Sequence, residues 1–265
     1  MLNGLSIINI ELSSMCQKKC YICGRRKMDK DYPEIKMNYG FMDFELLKKI
    51  VIQLPIGILV QSHWNGEPLL YPDLKGALQL LNKQIRCFDT NGILLVNRAD
   101  DIIDNMESLT LSTFENDPEW EEQYNILMKF LSIKKNRKPR VIIRQLGNIG
   151  DERLKLYTKT GCMIVNRILH DPMGSFNYTK QTIKPEHGIC LEMLYHSAID
   201  RFGNVSICVR LDPQCDARLG NLNKQTLEEI WNGDKRNKWL QHHINGKREL
   251  VPLCAKCEFW GIPRG

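Results

Sequence analysis

Short apolar runs alternate with longer amphipathic stretches along most of the chain. The apolar runs have the length of buried strands and lie at 5–12, 56–62, 86–89, 108–112, 140–146 and 163–169. Stretches with helical spacing of apolar residues lie between them, at 43–52, 72–84, 95–105, 118–135 and 151–160. Asp43 stands where the first of these helices needs an N-cap. This alternation predicts a parallel sheet with helices outside it, and it leaves open whether the sheet closes.

The pattern changes after about residue 180. Residues 198–208 are typical of a β-hairpin, with Gly203 and Asn204 in the turn. Thr226 and Glu229 fit a capping box at the start of a later helix. The change predicts a division of the chain into residues 1–180 and 181–265.

Composition narrows the class of protein. The chain has 265 residues, of which 43% are apolar, and this suits one large domain or a barrel with a small appendage. The N-terminus lacks the pattern of a signal peptide, and no apolar run approaches the length of a membrane span. We therefore expect a cytoplasmic protein without a membrane partner.

Charge and cysteine content point to possible partners. Ten cysteines in such a chain are expected to be metal ligands in a reducing cytoplasm rather than disulfides. The formal charge of +6 suits an anionic substrate or an acidic electron donor. No basic stripe with interleaved aromatic residues is present, so a nucleic-acid partner is not predicted.

Three thiols lie close together just after the first apolar run, at Cys16, Cys20 and Cys23. Three thiolates can hold three irons of a cubane iron–sulfur cluster and leave the fourth iron open to a small molecule. The alternatives are a zinc site or three unrelated buried thiols. Zinc usually takes two cysteine pairs at a distance, whereas these three cysteines share one loop. The spacing therefore favours the cluster.

The spacing C-x3-C-x2-C resembles the signature of radical S-adenosylmethionine (radical SAM) enzymes. The resemblance implies that the open iron chelates the methionine moiety and that an electron from the cluster releases a 5′-deoxyadenosyl radical. It also implies a partial (β/α)6 barrel over residues 1–180, with chemistry at the carboxyl ends of the strands. The residue before the third cysteine is usually aromatic in this family and packs near the adenine. Here it is Ile22, with Tyr21 one position earlier, so either aliphatic packing suffices or Tyr21 takes that place.

A second motif supports the resemblance. After the second strand, the residues Asn65, Gly66, Glu67 and Pro68 resemble a Gly-Gly-Glu-Pro motif whose backbone groups hold the methionine amino group, with Asn65 in place of the first glycine. Taken alone, Gly-Glu-Pro is only a turn.

The later strand ends supply further candidates by the same resemblance. Ser112 and Thr113 are expected to hold the ribose, and Arg144 the carboxylate or the substrate. Hydroxyls that cap the next helix and an arginine paired at the surface are the alternatives.

The C-terminal part resembles the SPASM/twitch extensions of radical SAM enzymes, and it is assigned to residues 181–265. Cys190, Cys208, Cys254 and Cys257 match the twitch pattern, which implies one auxiliary four-iron cluster. A zinc knuckle built from the same four cysteines is the alternative. Cys215 is surplus: it is a plain thiol, an alternative ligand or a proton-relay group.

The compact arrangement and its single twitch cluster look most like family members that oxidise a secondary alcohol. The resemblance implies an oxidoreductase with two [4Fe-4S] clusters and S-adenosyl-L-methionine, acting on a small aminocyclitol- or sugar-like substrate. The auxiliary cluster is then expected to accept the electron. A flavodoxin- or ferredoxin-like protein is expected to reduce the first cluster. Arg144, Arg167 and His170 are possible polar contacts near strand ends.

Two rival hypotheses remain open from the sequence. The first is a SPASM/twitch enzyme that crosslinks or epimerises a ribosomally made peptide. The second is a non-catalytic iron–sulfur or zinc binding protein. Cys87 and Cys162 lie in or beside apolar strands and are interpreted as buried structural thiols.

Overall fold

A computed structural model of the chain describes residues 2–31, 33–35, 38–167, 189–210, 212, 216–255 and 257. Within these residues lie the strands β1 Ile7–Ile10, β2 Leu59–Gln61, β3 Ile85–Thr90, β4 Ser108–Phe114, β5 Arg140–Leu146, β6 Met163–Arg167, β7 His196–Ile199, β8 Asn204–Ser206 and β9 Arg218–Asn221. The helices are α1 Gly24–Asp31, α2 Phe44–Val51, α3 Leu74–Leu80, α4 Ala99–Ile102, α5 Trp120–Lys134, α6 Asp151–Lys159, α7 Leu191–Tyr195, α8 Leu227–Trp231, α9 Asp234–Ile244 and α10 Pro252–Ala255.

The described strands form one sheet in the order β6-β5-β4-β3-β2-β1-β7-β8-β9. Strands β1 to β6 are all parallel to their neighbours, which confirms the predicted parallel sheet. Strand β7 pairs in parallel with β1, while β8 and β9 continue as antiparallel strands. The sequence pattern did not predict that the C-terminal hairpin extends the first sheet. The proposed boundary at residue 180 lies outside the described residues.

Alternation along the strands gives the sheet two different faces. Along β4, Leu109 and Leu111 are buried against the helices, whereas Thr110 and Ser112 point to the opposite face and stay partly exposed. We call this opposite face the inner face. Because parallel neighbours in register point the same way, Asp89 on β3 and Arg144 on β5 share it with Thr110 and Ser112.

Local sequence signals determine where several helices begin. Asp43 caps α2 by accepting the backbone N–H of Leu46 at 3.0 Å, as predicted. Thr226 and Glu229 form the predicted capping box of α8. Helix α4 is much shorter than the amphipathic stretch 95–105, because hydrogen-bonded turns occupy residues 92–98 instead. No helix in the described ranges is long and apolar enough to cross a membrane.

Candidate functional site

The front cysteine set comprises Cys16, Cys20 and Cys23, and it lies in the loop that follows β1. All three side chains are half-buried, and all nine cysteines that the structure describes are free thiols. The backbone N–H of Cys23 donates to the carbonyl of Cys20 at 3.2 Å, and the N–H of Arg26 donates to the carbonyl of Cys23 at 3.1 Å. These turns lead into α1, so the loop presents three thiols within a short hydrogen-bonded segment.

The front thiols affect one another electrostatically. Burial raises the pKa of Cys20 to about 12, and the neighbouring Cys16 and Cys23 add to this while Lys18 opposes it. Burial also raises the pKa of Cys16, with Glu67 and Cys23 as further causes. The three thiols are therefore electrostatically coupled. Thiols of this kind release their protons when a metal binds, so the donor set fits an iron cluster with one iron left open.

An ion pair anchors the cysteine loop to the end of β4. The buried Lys18 ammonium lies 2.7 Å from the equally buried Asp117 carboxylate and 5.3 Å from the centre of the Phe114 ring. Loss of Lys18 would leave the Asp117 carboxylate as an unpaired buried charge, which is strongly destabilising. Loss of Asp117 would leave Lys18 with only the partly exposed Glu119 carboxylate at 3.4 Å. The sequence analysis did not identify this pair, since Asp117 lies 99 residues after Lys18 in the chain.

The predicted Asn65–Pro68 motif lies directly against the cysteine loop. A Cβ on Gly66 would stand 2.1 Å from the carbonyl oxygen of Ser13, which is far inside contact distance. The backbone N–H of Glu67 donates to the carbonyl of Met15 at 2.7 Å, and the N–H of Asn65 donates to Glu11 at 3.2 Å. Only glycine allows this approach, and that is the physical reason for Gly66 at this position.

The Glu67 side chain is engaged inside the protein. Its carboxylate accepts the Thr90 hydroxyl at 2.7 Å and the backbone N–H groups of Asn91 at 2.8 Å and Leu69 at 3.1 Å. Pro68 follows it in a buried turn of 3-10 helix. The Asn91 side-chain amide in turn lies 3.6 Å from the Cys16 sulfur. The carboxylate of Glu67 therefore orders the turn that contacts the front set.

Asn91 is a residue that the sequence analysis missed. In the sequence, Thr90-Asn91-Gly92 gives only a turn signal. That turn follows β3 at the carboxyl edge of the sheet, which is the one available indication that it lies near the site.

The adenosine candidates separate into two groups. Ser112 lies on the inner face, but Thr113 is fully buried on the helix side, where its hydroxyl contacts Arg153 and Tyr157. Strand alternation therefore puts only one of the two at the inner face. The Tyr21 ring packs edge-on against Phe114 at 5.8 Å. Tyr21 thus lies at the end of β4, while Ile22 beside it is half-buried.

A cleft of about 480 Å³ lies between the loops that follow β4 and β5. It is lined by Asn116, Asp117, Pro118, Trp120, Asn148, Ile149, Gly150 and Arg153. Asp117 also binds Lys18 of the cysteine loop, so the cleft adjoins the front set. The inner face, in contrast, carries the charged groups described next.

A charged cluster occupies the inner face where β3 and β5 end. The Arg144 guanidinium donates to the Asp89 carboxylate. His63 Nδ1 accepts the backbone N–H of Asp89 at 3.1 Å, and His63 Nε2 lies 3.4 Å from the same carboxylate. Burial alone raises the pKa of Asp89, but His63 and Arg144 outweigh it and hold that pKa well below its usual range. Asp89 is therefore a fixed negative charge.

More polar groups continue this cluster across the sheet. His196 Nε2 lies 2.6 Å from the Asn9 side-chain oxygen, and His196 Nδ1 lies 2.7 Å from Glu192. The Asn9 amide donates to the carbonyl of His63 at 2.7 Å. Burial and the neighbouring Arg144 lower the pKa of Arg167. Sequence reasoning had proposed Arg144 and Arg167 but missed His63, Asp89, Asn9 and His196.

The rear cysteine set comprises Cys190, Cys208, Cys254 and Cys257. Cys190 precedes α7, Cys208 follows β8, and Cys254 lies in α10. All four thiols are half-buried, and three of them, Cys190, Cys208 and Cys254, pack against a small apolar cluster formed by Met193, Ile207, Ala217, Trp239 and Val251. Distant parts of the chain thus meet at one place.

The rear thiols affect one another's pKa values electrostatically. Burial raises the pKa of Cys254 to about 12, with Cys190 and Cys257 as further causes. Burial also raises the pKa of Cys208, and Glu192 and Cys190 add to it. The backbone N–H of Arg210 donates to the Cys208 sulfur at 3.4 Å. An N–H donor to a ligand sulfur is one of the features that tune iron–sulfur clusters, so this donor set also fits a cluster.

Neither cysteine set is a preformed metal site among the described residues. In the described part of the chain, no three His, Cys, Asp or Glu side chains converge on one metal-ion position. Binding of a cluster to either cysteine set therefore has to draw its thiols together.

The remaining candidate residues lie outside both cysteine sets. Cys87 lies half-buried on β3, and burial raises the pKa of its thiol to about 12. Cys162 precedes β6. Cys215 and His170 lie outside the described residues.

Comparisons with known proteins bear on both cysteine sets. Residues 190–258 match the family model of SPASM, an iron-sulfur cluster-binding domain. Over 256 residues the chain is 24% identical to the S-adenosyl-L-methionine-dependent 2-deoxy-scyllo-inosamine dehydrogenase of Niallia circulans, covering 95% of this chain and 92% of that protein.

Two solved structures share the fold. The first is BtrN in complex with AdoMet and 2-DOIA, with a TM-score of 0.61 and 20% identity over 96% of this chain and 93% of that one. The second is Streptococcus suis SuiB bound to S-adenosylmethionine, with a TM-score of 0.67 and 13% identity over 96% of this chain and 71% of that one. Both support the partial barrel with its C-terminal extension.

Proposed function

We propose that this chain, a radical SAM enzyme with a C-terminal SPASM domain, oxidises a secondary alcohol of a small, polar, aminocyclitol- or sugar-like molecule to a ketone. The observation that carries the proposal is the charged cluster of His63, Asp89 and Arg144 on the inner face. The relation to 2-deoxy-scyllo-inosamine dehydrogenase supports the reaction type.

The front of the molecule would bind S-adenosylmethionine. When bound there, an iron–sulfur cluster supplies the electron that turns S-adenosylmethionine into a source of 5′-deoxyadenosyl radical. Cys16, Cys20 and Cys23 would hold it, and Asn91 would donate a hydrogen bond to the Cys16 sulfur. The backbone around Gly66 would face the methionine end, since it lies against the cysteine loop. Tyr21 and Ser112 would face the adenosine.

The inner face would bind the alcohol substrate. Asp89 is held ionised and accepts hydrogen bonds, while Arg144 donates them, so neighbouring hydroxyl or amino groups of one small molecule find complementary partners. Such a surface disfavours an apolar ligand, because the buried charges would lose their solvation without compensation. We therefore assign Arg144 to the substrate rather than to the carboxylate of S-adenosylmethionine.

The rear of the molecule would accept the electron that the oxidation releases. Cys190, Cys208, Cys254 and Cys257 would hold a second [4Fe-4S] cluster, and with four cysteine ligands no iron is left open for substrate. Electron transfer is then the remaining role. We propose a flavodoxin- or ferredoxin-like protein as the reductant of the front cluster, in line with the net charge of +6.

The decisive experiment is an anaerobic assay of reconstituted protein with dithionite and S-adenosylmethionine. A panel of aminocyclitols that includes 2-deoxy-scyllo-inosamine, together with simple polyols, is screened for a ketone product by mass spectrometry. We expect one 5′-deoxyadenosine for each ketone formed. If 5′-deoxyadenosine were released but no ketone formed with any member of the panel, the proposed substrate class would be refuted.

A pair of variants tests the charged cluster on which the proposal rests. Arg144→Lys keeps a positive charge but loses the planar guanidinium that donates to Asp89, so ketone formation should fall while S-adenosylmethionine cleavage persists. Arg86→Lys is the matched control, because Arg86 forms a similar pair with Glu107 at the start of β4. If Arg144→Lys instead abolished cleavage, Arg144 would serve S-adenosylmethionine.

Modification of a ribosomally made peptide is the second candidate function. The similarity in fold to SuiB is the observation that favours this second function. It predicts that a precursor peptide encoded beside the gene is crosslinked or epimerised by the reconstituted protein. Mass spectrometry of that peptide distinguishes the two functions.

A further inference from the structure

The turn at residues 63–66, which follows β2, contacts three parts of the candidate site. His63 contacts Asp89 of the inner-face cluster. Gly66 lies against Ser13 next to the front cysteine set. Between them, the Trp64 indole N–H donates to the carbonyl of Val209.

Val209 lies in the loop that contains Cys208 of the rear cysteine set. It directly follows Cys208, and the next residue, Arg210, donates its backbone N–H to the Cys208 sulfur. In the sheet, β2 and β8 are separated by β1 and β7. The half-buried Trp64 side chain therefore reaches past two strands to hold the peptide beside a predicted cluster ligand.

We propose that Trp64 is a positioning residue that couples the substrate site to the auxiliary cluster. The inference rests on the proposed function for its electron path and on the hydrogen bond to Val209 for its geometry. Its indole fixes the Cys208 loop relative to the turn that carries His63 and Gly66. The separation between the substrate and the rear cysteine set is thereby kept constant.

The electron balance shows why that separation matters. The 5′-deoxyadenosyl radical would take a hydrogen atom from the carbinol carbon, which gives 5′-deoxyadenosine and leaves a carbon-centred radical. Formation of the C=O double bond would then release the hydroxyl proton and one electron. The proton would pass to solvent or a polar group of the inner face, and the electron to the cluster that the rear cysteine set would hold. A displaced Cys208 loop would slow this last transfer without affecting cleavage of S-adenosylmethionine.

Trp64→Phe tests the inference, because it keeps an aromatic ring and removes the indole donor. The matched control is Trp231→Phe, which removes an indole N–H that donates to the carbonyl of Asn3 at 2.9 Å and not to the Cys208 loop. Hydrogen exchange of the reconstituted proteins is followed in the peptide that contains residues 207–210. We expect exchange there to rise about three- to tenfold in Trp64→Phe only, as loss of one ordinary hydrogen bond implies.

A second readout follows the auxiliary cluster itself. Its electron paramagnetic resonance signal and midpoint potential should shift in Trp64→Phe and stay unchanged in Trp231→Phe. The yield of ketone per 5′-deoxyadenosine should also fall in Trp64→Phe. Unchanged exchange at 207–210 together with an unchanged cluster signal would overturn the inference.

The exchange and the resonance signal need no substrate. The inference therefore fails or holds on these two measurements even if the panel of alcohols yields no ketone. Failure of the proposed function, in contrast, shows as absence of ketone in the unmodified protein.

Discussion

The front and rear cysteine sets use the same chemical group and are assembled in opposite ways. Cys16, Cys20 and Cys23 come from one loop after β1, and local hydrogen bonds order that loop. The rear set gathers Cys190, Cys208, Cys254 and Cys257 from chain segments as far as 67 residues apart. The comparison teaches that one set is a local motif, whereas the other depends on the folding of the whole C-terminal part.

The surroundings of the two sets differ as well. The front set adjoins a buried ion pair, a close glycine turn and the charged inner face. The rear set packs beside an apolar cluster that contains Trp239 and Val251. The set proposed to bind S-adenosylmethionine thus has polar neighbours, and the set proposed for electron transfer packs against apolar side chains. The predictions below test this division of roles.

The largest effect is expected from replacing the whole front set by alanine. Without Cys16, Cys20 and Cys23 no ligand remains for the first cluster, so 5′-deoxyadenosine production should fall to background. Chromatographic quantification of 5′-deoxyadenosine checks this. Iron analysis should still find about four irons, held by the rear set. Substantial residual cleavage would contradict the assignment of the front set.

Removing two rear ligands should separate cleavage from oxidation. Cys254→Ala with Cys257→Ala leaves the front set intact, so S-adenosylmethionine should still be cleaved while ketone formation falls to background. Circular dichroism must show a folded protein, because cluster binding contributes to folding. Normal turnover in a folded variant would favour a redox-neutral reaction, and one zinc at the rear site of the unmodified protein would show that the site is structural.

Gly66→Ala tests the contact between the two front motifs. The new Cβ would lie 2.1 Å from the Ser13 carbonyl, which is backbone and has little room to move. The turn must shift by about an ångström, and misplacement of that size costs about 100-fold in rate. The rate of 5′-deoxyadenosine release measures the effect. Asn65→Gly, which gives the Gly-Gly-Glu-Pro sequence that this motif resembles, serves as the permissive control.

Cluster loading should fall at both cysteine sets as pH is lowered. Burial raises the pKa of Cys254 to about 12 and also raises that of Cys208, so these rear thiols hold their protons tightly and low pH opposes metal binding. In the front set, burial raises the pKa of Cys20 to about 12 and also raises that of Cys16. Iron content after reconstitution, measured separately in the front and rear variants, should decline at both sets as pH is lowered.

The smallest effect is expected at Cys87. Its thiol lies on β3 two residues before Asp89, and its raised pKa of about 12 keeps it protonated. Oxidation of an alcohol needs no hydrogen-atom donor, so Cys87→Ser should leave the yield of ketone unchanged. If the variant cleaved S-adenosylmethionine but lost net conversion, Cys87 would be returning a hydrogen atom, and a redox-neutral reaction would be favoured.

The sequence by itself determined the local features of this protein. Strand β5 has the predicted bounds, Asp43 caps α2, and the C-x3-C-x2-C loop follows β1, because each of these depends on residues close together in the chain. The same holds for the capping box of α8. Periodicity and capping are short-range effects, so a single sequence displays them directly.

Only the tertiary structure decided which distant residues meet. His63, Asp89 and Arg144 come from different strand ends, and no spacing in the sequence relates them. Thr113 looked equivalent to Ser112 until strand register placed them on opposite faces. The pairing of β7 with β1 and the hydrogen bond from Trp64 to Val209 likewise depend on the order of the strands in the sheet, which long-range packing sets.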